Sequence, residues 1–420
     1  MKHQVIEAMP PCFESWCQKF DSLFTRRSQK KGFRTYLAGL FGDAHRKNLA
    51  QITQGTVDGS YNQIRHFLNE SPWSELAMNE ERLDIMMSRR QTKIGKNCTM
   101  ILDDSGHRKS GHETDGVGRQ YIGEIGKTDQ GMSMVTTHLY DGIRNIPLDV
   151  EIYFSAESLE GGKENPEFIK KPDLALLLID RCLNRGIKPA NIVMDAGYGN
   201  NNKLLKQLEE RGLRYVVSIS SDRVVKYGAS NEHESDKYSV SELAALPDTK
   251  WSEISLSEDE KKPIWVAQKL VYVPRLGWRT LAIRINASSW EEATDVYYFL
   301  TNADPKTVNS EWVVKTYAIR NWIEVFYREV KGWLGWKEYQ VRSEKSIRRH
   351  LILVFVAYTF IRWHLLTGGF QRQWATKKLK TWVDALEAFK TGVMSRFLLW
   401  WRDHEDVFAS HIASLGYILA

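Results

Sequence analysis

The stretch NIVMDAGYGNNNKLLKQLEERGLRYVVSIS (Asn191–Ser220) decides the fold. It opens with a short apolar run that ends on Asp195. A segment of helical pattern, Asn201–Gly212, follows it, and a second apolar run, Leu213–Ser220, closes it. Strand, helix, strand in so short a span is a βα unit of a parallel sheet. Working back, PEFIKKPDLALLLIDRCLNRG (Pro166–Gly186) reads as a helix stopped by glycine. QGMSMVTTHLYDGIRNIPLDVEIYF (Gln130–Phe154) reads as two strands joined by a turn, and TMILDDS (Thr99–Ser105) as a strand ending in acids. The predicted order is β-β-β-α-β-α-β, an antiparallel opening with βα units after it, within an α/β fold.

The flanks differ from this core. Residues 1–92 have helical apolar spacing. Within them, TRRSQKKGFR (Thr25–Arg34) is rich in basic residues and reads as a solvated face. Residues 221–302 break the alternation. Asp259–Ala287 and Thr294–Asn302 read as strands, SNEHESDKYS (Ser230–Ser239) as a surface loop, and the whole as a β-rich insertion. Helical pattern returns at Ser310. The predicted divisions are 1–92 (helical), 93–220 (first part of the core), 221–302 (insertion), 303–365 (second part of the core) and 366–420 (helical).

Composition narrows the class. An apolar content of 42% with 11% aromatics supports a packed core. A net charge of +6 is compatible with a polyanionic partner and with many other soluble enzymes. The run LILVFVAYTFI (Leu351–Ile361) is too short to span a bilayer and reads as a buried helix. The first residues lack the order of a signal peptide. Cys12, Cys17, Cys98 and Cys182 form no CxxC pair, which points to a reduced cytosolic protein without structural zinc. His107 and His112 read as parts of a solvated loop rather than as metal ligands.

A second stretch, YAIRNWIEVFYREVKGWLG (Tyr317–Gly335), carries the chemistry. On one continuous helix Tyr317, Arg320, Glu324 and Lys331 share a face about 60° wide, opposite Ile319, Trp322, Phe326 and Val330. Glu329 lies about 140° from Glu324. Taken alone this is an amphipathic helix with an Arg–Glu pair. Its company changes the reading: one Asp ends the first strand and another, Asp195, ends the fourth. Three carboxylates drawn from two strand ends and a later helix are what a two-metal phosphoryl-transfer site requires.

These residues resemble the DDE-type insertion-sequence transposases with an RNase H-like core, in the branch carrying the YREK signature. The signature residues are Tyr317, Arg320, Glu324 and Lys331. The likeness is to the insertion sequence 701 group, related to the insertion sequence 4 group, through LDDSGHRKSG, VGRQYIGEIGKTDQG, VMDAGYG and YQVRSEKSIRRH. It spans about Tyr36–His364. The resemblance implies an RNase H-like core interrupted by the β-rich insertion. It implies catalytic, metal-holding acids at Asp104, Asp195 and Glu324. Asp104 is taken over the runner-up Asp103 because Ser105 follows it; neighbours on a strand face opposite ways, so only one can point into the site. It further implies two Mg2+ ions, with Mn2+ able to substitute, and DNA phosphate contacts from Tyr317, Arg320 and Lys331.

By the same resemblance, Arg119 and Lys127 become weak DNA-contact candidates, and Trp265 or Trp278 a stacking platform for a flipped base, although Trp within a strand is more often core. Glu329 is expected to make a surface pair or to help hold the insertion. The implied partners are transposon-end DNA with terminal inverted repeats, target DNA and a second copy of the chain, with no membrane. The implied place is the bacterial cytosol, at the nucleoid when DNA is bound. The alternatives are an RNase H-like nuclease without strand transfer and a domesticated DNA-binding protein.

Overall fold

The computed structural model describes residues 3–57, 59–111, 113–228, 235–256 and 263–419. Five helices come first: α1 (Pro11–Gln18), α2 (Arg27–Phe41), α3 (Leu49–Gln54), α4 (Tyr61–Asn69) and α5 (Glu75–Met87). Then come β1 (Thr99–Arg108), β2 (Gly118–Ile122), β3 (Lys127–Tyr140), β4 (Asn145–Tyr153), α6 (Lys171–Asn184), β5 (Asn191–Met194), the one-turn α7 (Ala196–Gly199), α8 (Asn202–Glu210) and β6 (Tyr215–Ile219). The next block is β7 (Val224–Tyr227), β8 (Asp236–Ser239), α9 (Val240–Ala244), β9 (Ser252–Ile254), β10 (Ile264–Val273), β11 (Gly277–Ile285) and β12 (Val296–Thr301). The chain ends with α10 (Ser310–Ala318), α11 (Asn321–Trp333), α12 (Glu344–Thr367), α13 (Gly369–Trp374), α14 (Trp382–Asp403) and α15 (Glu405–Ser414).

The core strands lie in the order β4-β3-β1-β5-β6. β1 is antiparallel to β3 and β3 to β4, while β5 and β6 run parallel to β1. An antiparallel trio extended on the side of its first strand by two parallel strands is the RNase H-like sheet, and it matches the order predicted from Asn191–Ser220. β2 was not anticipated. It is a short strand on the edge of β3, and its Gly118–Ile122 alternates buried and exposed as a half-covered strand does.

Residues 221–302 do not stand apart from this sheet. β12 pairs antiparallel with β6, β11 with β12 and β10 with β11, so the inserted strands lengthen the same sheet. Asp236–Ser239, expected in a surface loop, are β8; residues 230–234 of that stretch, and residues 259–262 of the predicted strand Asp259–Ala287, lie outside the described residues.

The helix α12 is the hub. Its Leu351–Ile361 are buried, as the sequence predicted, although the helix is long and apolar enough to pass a membrane test on composition. The N-terminal helices close over it. Phe13, Trp16 and Phe41 ring Phe360 with centroids 5.5–6.3 Å away. The Tyr36 hydroxyl meets His350 Nδ1 at 2.8 Å. The fully buried Arg82 donates to Asn79 Oδ1, the Leu148 carbonyl and Thr359 Oγ1, clipping α5, β4 and α12 together. In the basic stretch Thr25–Arg34, Arg34 is tied to Glu14 and Asp21, whereas Arg26 and Arg27 are exposed.

The turn after β5 lies flush on β6. A Cβ at Gly199 would stand 2.0 Å from the Ser218 carbonyl oxygen, so only glycine fits. By contrast, a Cβ at Gly332, inside α11, meets nothing within 4 Å. Gly199→Ala is therefore expected to lose ~1–3 kcal/mol of stability in urea unfolding. Gly332→Ala is expected to gain roughly 0.5–1 kcal/mol, because alanine loses less backbone freedom in a helix.

Candidate active site

Strand register brings the first two acids together. Ile101 of β1 pairs with Val193 of β5 in parallel. Carried two residues further, that register sets Asp103 beside Asp195, with side chains on one face. Antiparallel register with β3 places Thr136 opposite Asp103 and His138 opposite Ile101. Helix α11 covers this same face: the Tyr327 hydroxyl lies 2.5 Å from Thr136 Oγ1, and the Phe326 ring packs on His138 at 4.4 Å.

Arg320 closes the arrangement. Its guanidinium donates one Nη to Asp103 Oδ2 at 2.6 Å and the other to Glu324 Oε1 at 2.5 Å. It thus ties the middle of β1 to the start of α11. Asp103 is buried, and burial with the charges of Asp195 and Asp104 pushes its carboxyl up to about 7 against the pull of Arg320. Glu324 is half-exposed. Asp195 stands at the N-terminus of α7 and accepts the Tyr198 N–H at 3.3 Å, capping that turn.

Asp104 sits on the opposite face. Its Oδ2 accepts from Lys171 Nζ at 2.6 Å and from Ser133 Oγ at 3.0 Å. Lys171 begins α6 and lies over the Tyr153 ring. The preference for Asp104 therefore meets a geometric obstacle: strand alternation turns it toward α6 and turns Asp103 toward Glu324. The Asp-before-Ser pattern could not reveal this, because it carries no information on which sheet face α11 covers.

Tyr317 and Lys331 flank the acids at different depths. The Tyr317 ring packs at a tilt on Phe299 of β12 with centroids 4.5 Å apart, and burial pushes its hydroxyl up to about 12. Lys331 lies beside Glu124 at 4.0 Å and over the Tyr327 ring, and burial lowers its pKa. The four signature residues do not share one continuous helix. α10 ends at Ala318 and α11 starts at Asn321; the link is tightened by i→i+3 bonds, Tyr317 O to Arg320 N and Arg320 O to Ile323 N. The tighter turn lets Tyr317 lie on the sheet while Arg320 and Glu324 face the strand ends.

Glu329 is neither a surface residue nor a support for the insertion. It is buried against α12, hydrogen-bonded to Tyr358 with Arg362 nearby, and burial pushes it up to about 7. His107, expected on a solvated loop, is buried on β1 with Nε2 3.1 Å from the Tyr339 hydroxyl; His112 lies outside the described residues. Trp265 and Trp278 are half-buried on β10 and β11, Trp278 edge-on to Tyr272. Arg119 and Lys127 are exposed on the β2–β3 hairpin. Tyr198 went unnoticed in the sequence. Its buried hydroxyl has no partner among the described residues, and burial and the charges of Asp104, Asp103 and Asp195 raise its pKa.

A family model described as DDE superfamily endonuclease matches residues 19–252, and one described as transposase DDE domain matches residues 169–360. The chain belongs to the DDE superfamily. This DDE chain is 27% identical over 339 residues, 80% of its length and 83% of the relative's, to a probable transposase for insertion sequence element IS701 from Microchaete diplosiphon. Among solved structures it overlaps the piggyBac transposase synaptic complex with hairpin DNA at a TM-score of 0.43 and 10% identity, over 93% of this chain and 77% of that one.

Members of this superfamily use divalent metal. The donors on the α11 face, Asp103, Asp195 and Glu324, are all carboxylates, the hard oxygen set magnesium prefers. Among the described residues no three such groups already surround a single point; the Arg320 guanidinium lies between two of them. The donor chemistry fits the metal once that guanidinium yields.

The two glutamates of α11 make opposite predictions. Glu324→Gln should abolish magnesium-dependent DNA cleavage, and Glu329→Gln should keep it. Glu329 has a folded pKa raised above its unfolded value of 4.5, so its ionisation costs stability as pH rises from 4.5 to about 7. Glu329→Gln should therefore be more stable than wild type at pH 8 by about 2–3 kcal/mol, with the gap closing below pH 4.5, measured by urea unfolding across pH.

Proposed function

We propose that this DDE transposase cuts the ends of a mobile DNA element and joins them to target DNA, using Asp103, Asp195 and Glu324 as the catalytic, metal-holding acids. The observation that carries the reading is the Arg320 bridge: one side chain holds Asp103 and Glu324 at a common point, on the face where strand register sets Asp195. Two bound Mg2+ ions would lower the pKa of an attacking water and stabilise the leaving oxygen of the phosphodiester.

The chain's own groups then divide the work. Arg320 can exchange carboxylate oxygens for phosphate oxygens, because its planar fork matches both. Lys331 brings a point charge to the same backbone, and Tyr317 offers a hydroxyl from a fixed, packed ring. Asp104, paired with Lys171, holds the middle of β1 to α6 and so positions Asp103. The helices of residues 1–92 would read terminal repeats. A homodimer would hold two ends, and the protein would act in the cytosol at the nucleoid. The freed 3′-hydroxyl would attack target DNA, and joining of a pre-cleaved end to a plasmid separates this reading from a nuclease that only cuts.

Asp103→Asn and Asp195→Asn are each expected to abolish cleavage on a denaturing gel while end binding by gel shift persists, because these groups act on the transition state rather than on affinity. Asp104→Asn should retain cleavage. Activity in Asp103→Asn with loss in Asp104→Asn would restore the adjacent acid to the role. DNA affinity should fall with salt, and Arg320→Ala or Lys331→Ala should each lower the slope of log affinity against log salt by roughly one.

A further inference from the structure

Beside Lys331 the surface opens into a cavity of about 530 Å³ that the catalytic reading leaves unused. It is framed by Arg46 before α3, Arg108 at the end of β1, Lys109 just beyond it, and Lys337 after α11. Tyr339 forms part of the wall. Lys109 Nζ lies 3.7 Å from the centre of that ring and donates to the Tyr339 carbonyl at 2.9 Å, so its charge is held in place rather than swinging in solvent. His107 also lines the cavity. It is buried, and its Nδ1 has no partner among the described residues. Four cationic side chains thus face two acidic ones, Glu124 and Glu338. Glu338 is already engaged, accepting the Lys47 N–H at 2.7 Å.

Glu124 is placed differently. It stands in the turn between β2 and β3, with one carboxylate oxygen at Lys337 and the other 4.0 Å from Lys331. A single carboxylate therefore neutralises one lysine of the YREK signature and one lysine of the cavity. Glu124 thus links the wall of the cavity to a lysine of the candidate active site. A phosphate group carries the same charge sign and accepts from the same donors.

We propose that this cavity is a second phosphate-binding groove, which takes the backbone of the DNA strand as it continues past the cut, and that Glu124 is its built-in competitor, displaced when phosphate arrives. The proposal rests on the DNA-cutting reading above and adds the path of the strand. LDDSGHRKSG and IGEIGK then contribute Arg108, Lys109 and Glu124 to strand guidance rather than to the chemical step. Arg108 is two-thirds exposed and pairs with Asp129 at the rim, a contact that phosphate can replace.

The test uses full-length protein and fluorescence anisotropy with three labelled duplexes of the element's own end. One runs through the cut site on both sides, and the other two stop at the cut from either side. On the full duplex, Arg108→Ala and Lys337→Ala should each bind several-fold more weakly, with a salt slope reduced by about one. Glu124→Gln should bind several-fold more tightly, because a competing anion is removed. The losses should vanish on one of the two truncated duplexes, the one lacking the arm that fills the groove. A thermal melt of each variant within a few degrees of wild type separates these effects from misfolding. Wild type that binds and cuts DNA, with Glu124→Gln unchanged or weaker, or with losses equal on all three duplexes, overturns the groove alone. Wild type that neither binds nor cuts the full duplex overturns the DNA-cutting reading and the groove with it.

Discussion

The contact between Arg320 and the two carboxylates of Asp103 and Glu324 is the constraint on which the site depends. Asp103 is buried within β1, where an unpaired charge is costly. Arg320 compensates that charge from the N-cap of α11, more than two hundred residues away in sequence. The same side chain holds Glu324 to β1. Everything beneath serves to hold these three groups in register. The parallel pairing of β1 and β5 sets Asp195 beside Asp103, and the packing of Phe326 and Tyr327 on β3 fixes the height of α11 over the sheet.

Two opposed charge contacts run through the candidate site. On the acid side a guanidinium stands among carboxylates; on the basic side Glu124 stands among lysines. Each partner has the sign of one component of a metal–DNA complex. Arg320 has the sign of a divalent cation, and Glu124 the sign of a phosphate. A protein that leaves its own counterions in both places avoids the cost of buried, unpaired charge before substrate arrives.

Much of this was legible in the residues. Asn191–Ser220 and the hairpin Gln130–Phe154 carry strong period and turn signals, and the predicted core order holds. Leu351–Ile361 is the buried helix its apolar run implies. What the residues left open or misread has physical reasons. The choice between Asp103 and Asp104 depends on which sheet face α11 covers, a tertiary fact absent from a strand pattern. The helical wheel over Tyr317–Lys331 assumed an unbroken helix, but i→i+3 bonds tighten the chain at Ile319–Arg320 with neither Pro nor Gly to announce it. Glu329 looked like a surface acid because the wheel could not show α12 lying across that side. The insertion is β-rich as its residues read, but the strand pattern alone does not show which strand it joins; the bond ladder from β6 to β12 adds it to the core sheet.

The most direct test of the central claim is a metal-specificity switch at the two adjacent acids. Asp103→Cys and Asp104→Cys place a softer ligand at each position, and a thiolate favours Mn2+ over Mg2+ where it contacts the metal. Cleavage of element-end DNA is measured with each ion for both variants. If Asp103 shares the site with Asp195 and Glu324, Asp103→Cys is inactive with Mg2+ and regains cleavage with Mn2+, while Asp104→Cys cuts with either ion to the same relative extent as wild type. Rescue by Mn2+ at position 104 and not at 103 would contradict the account.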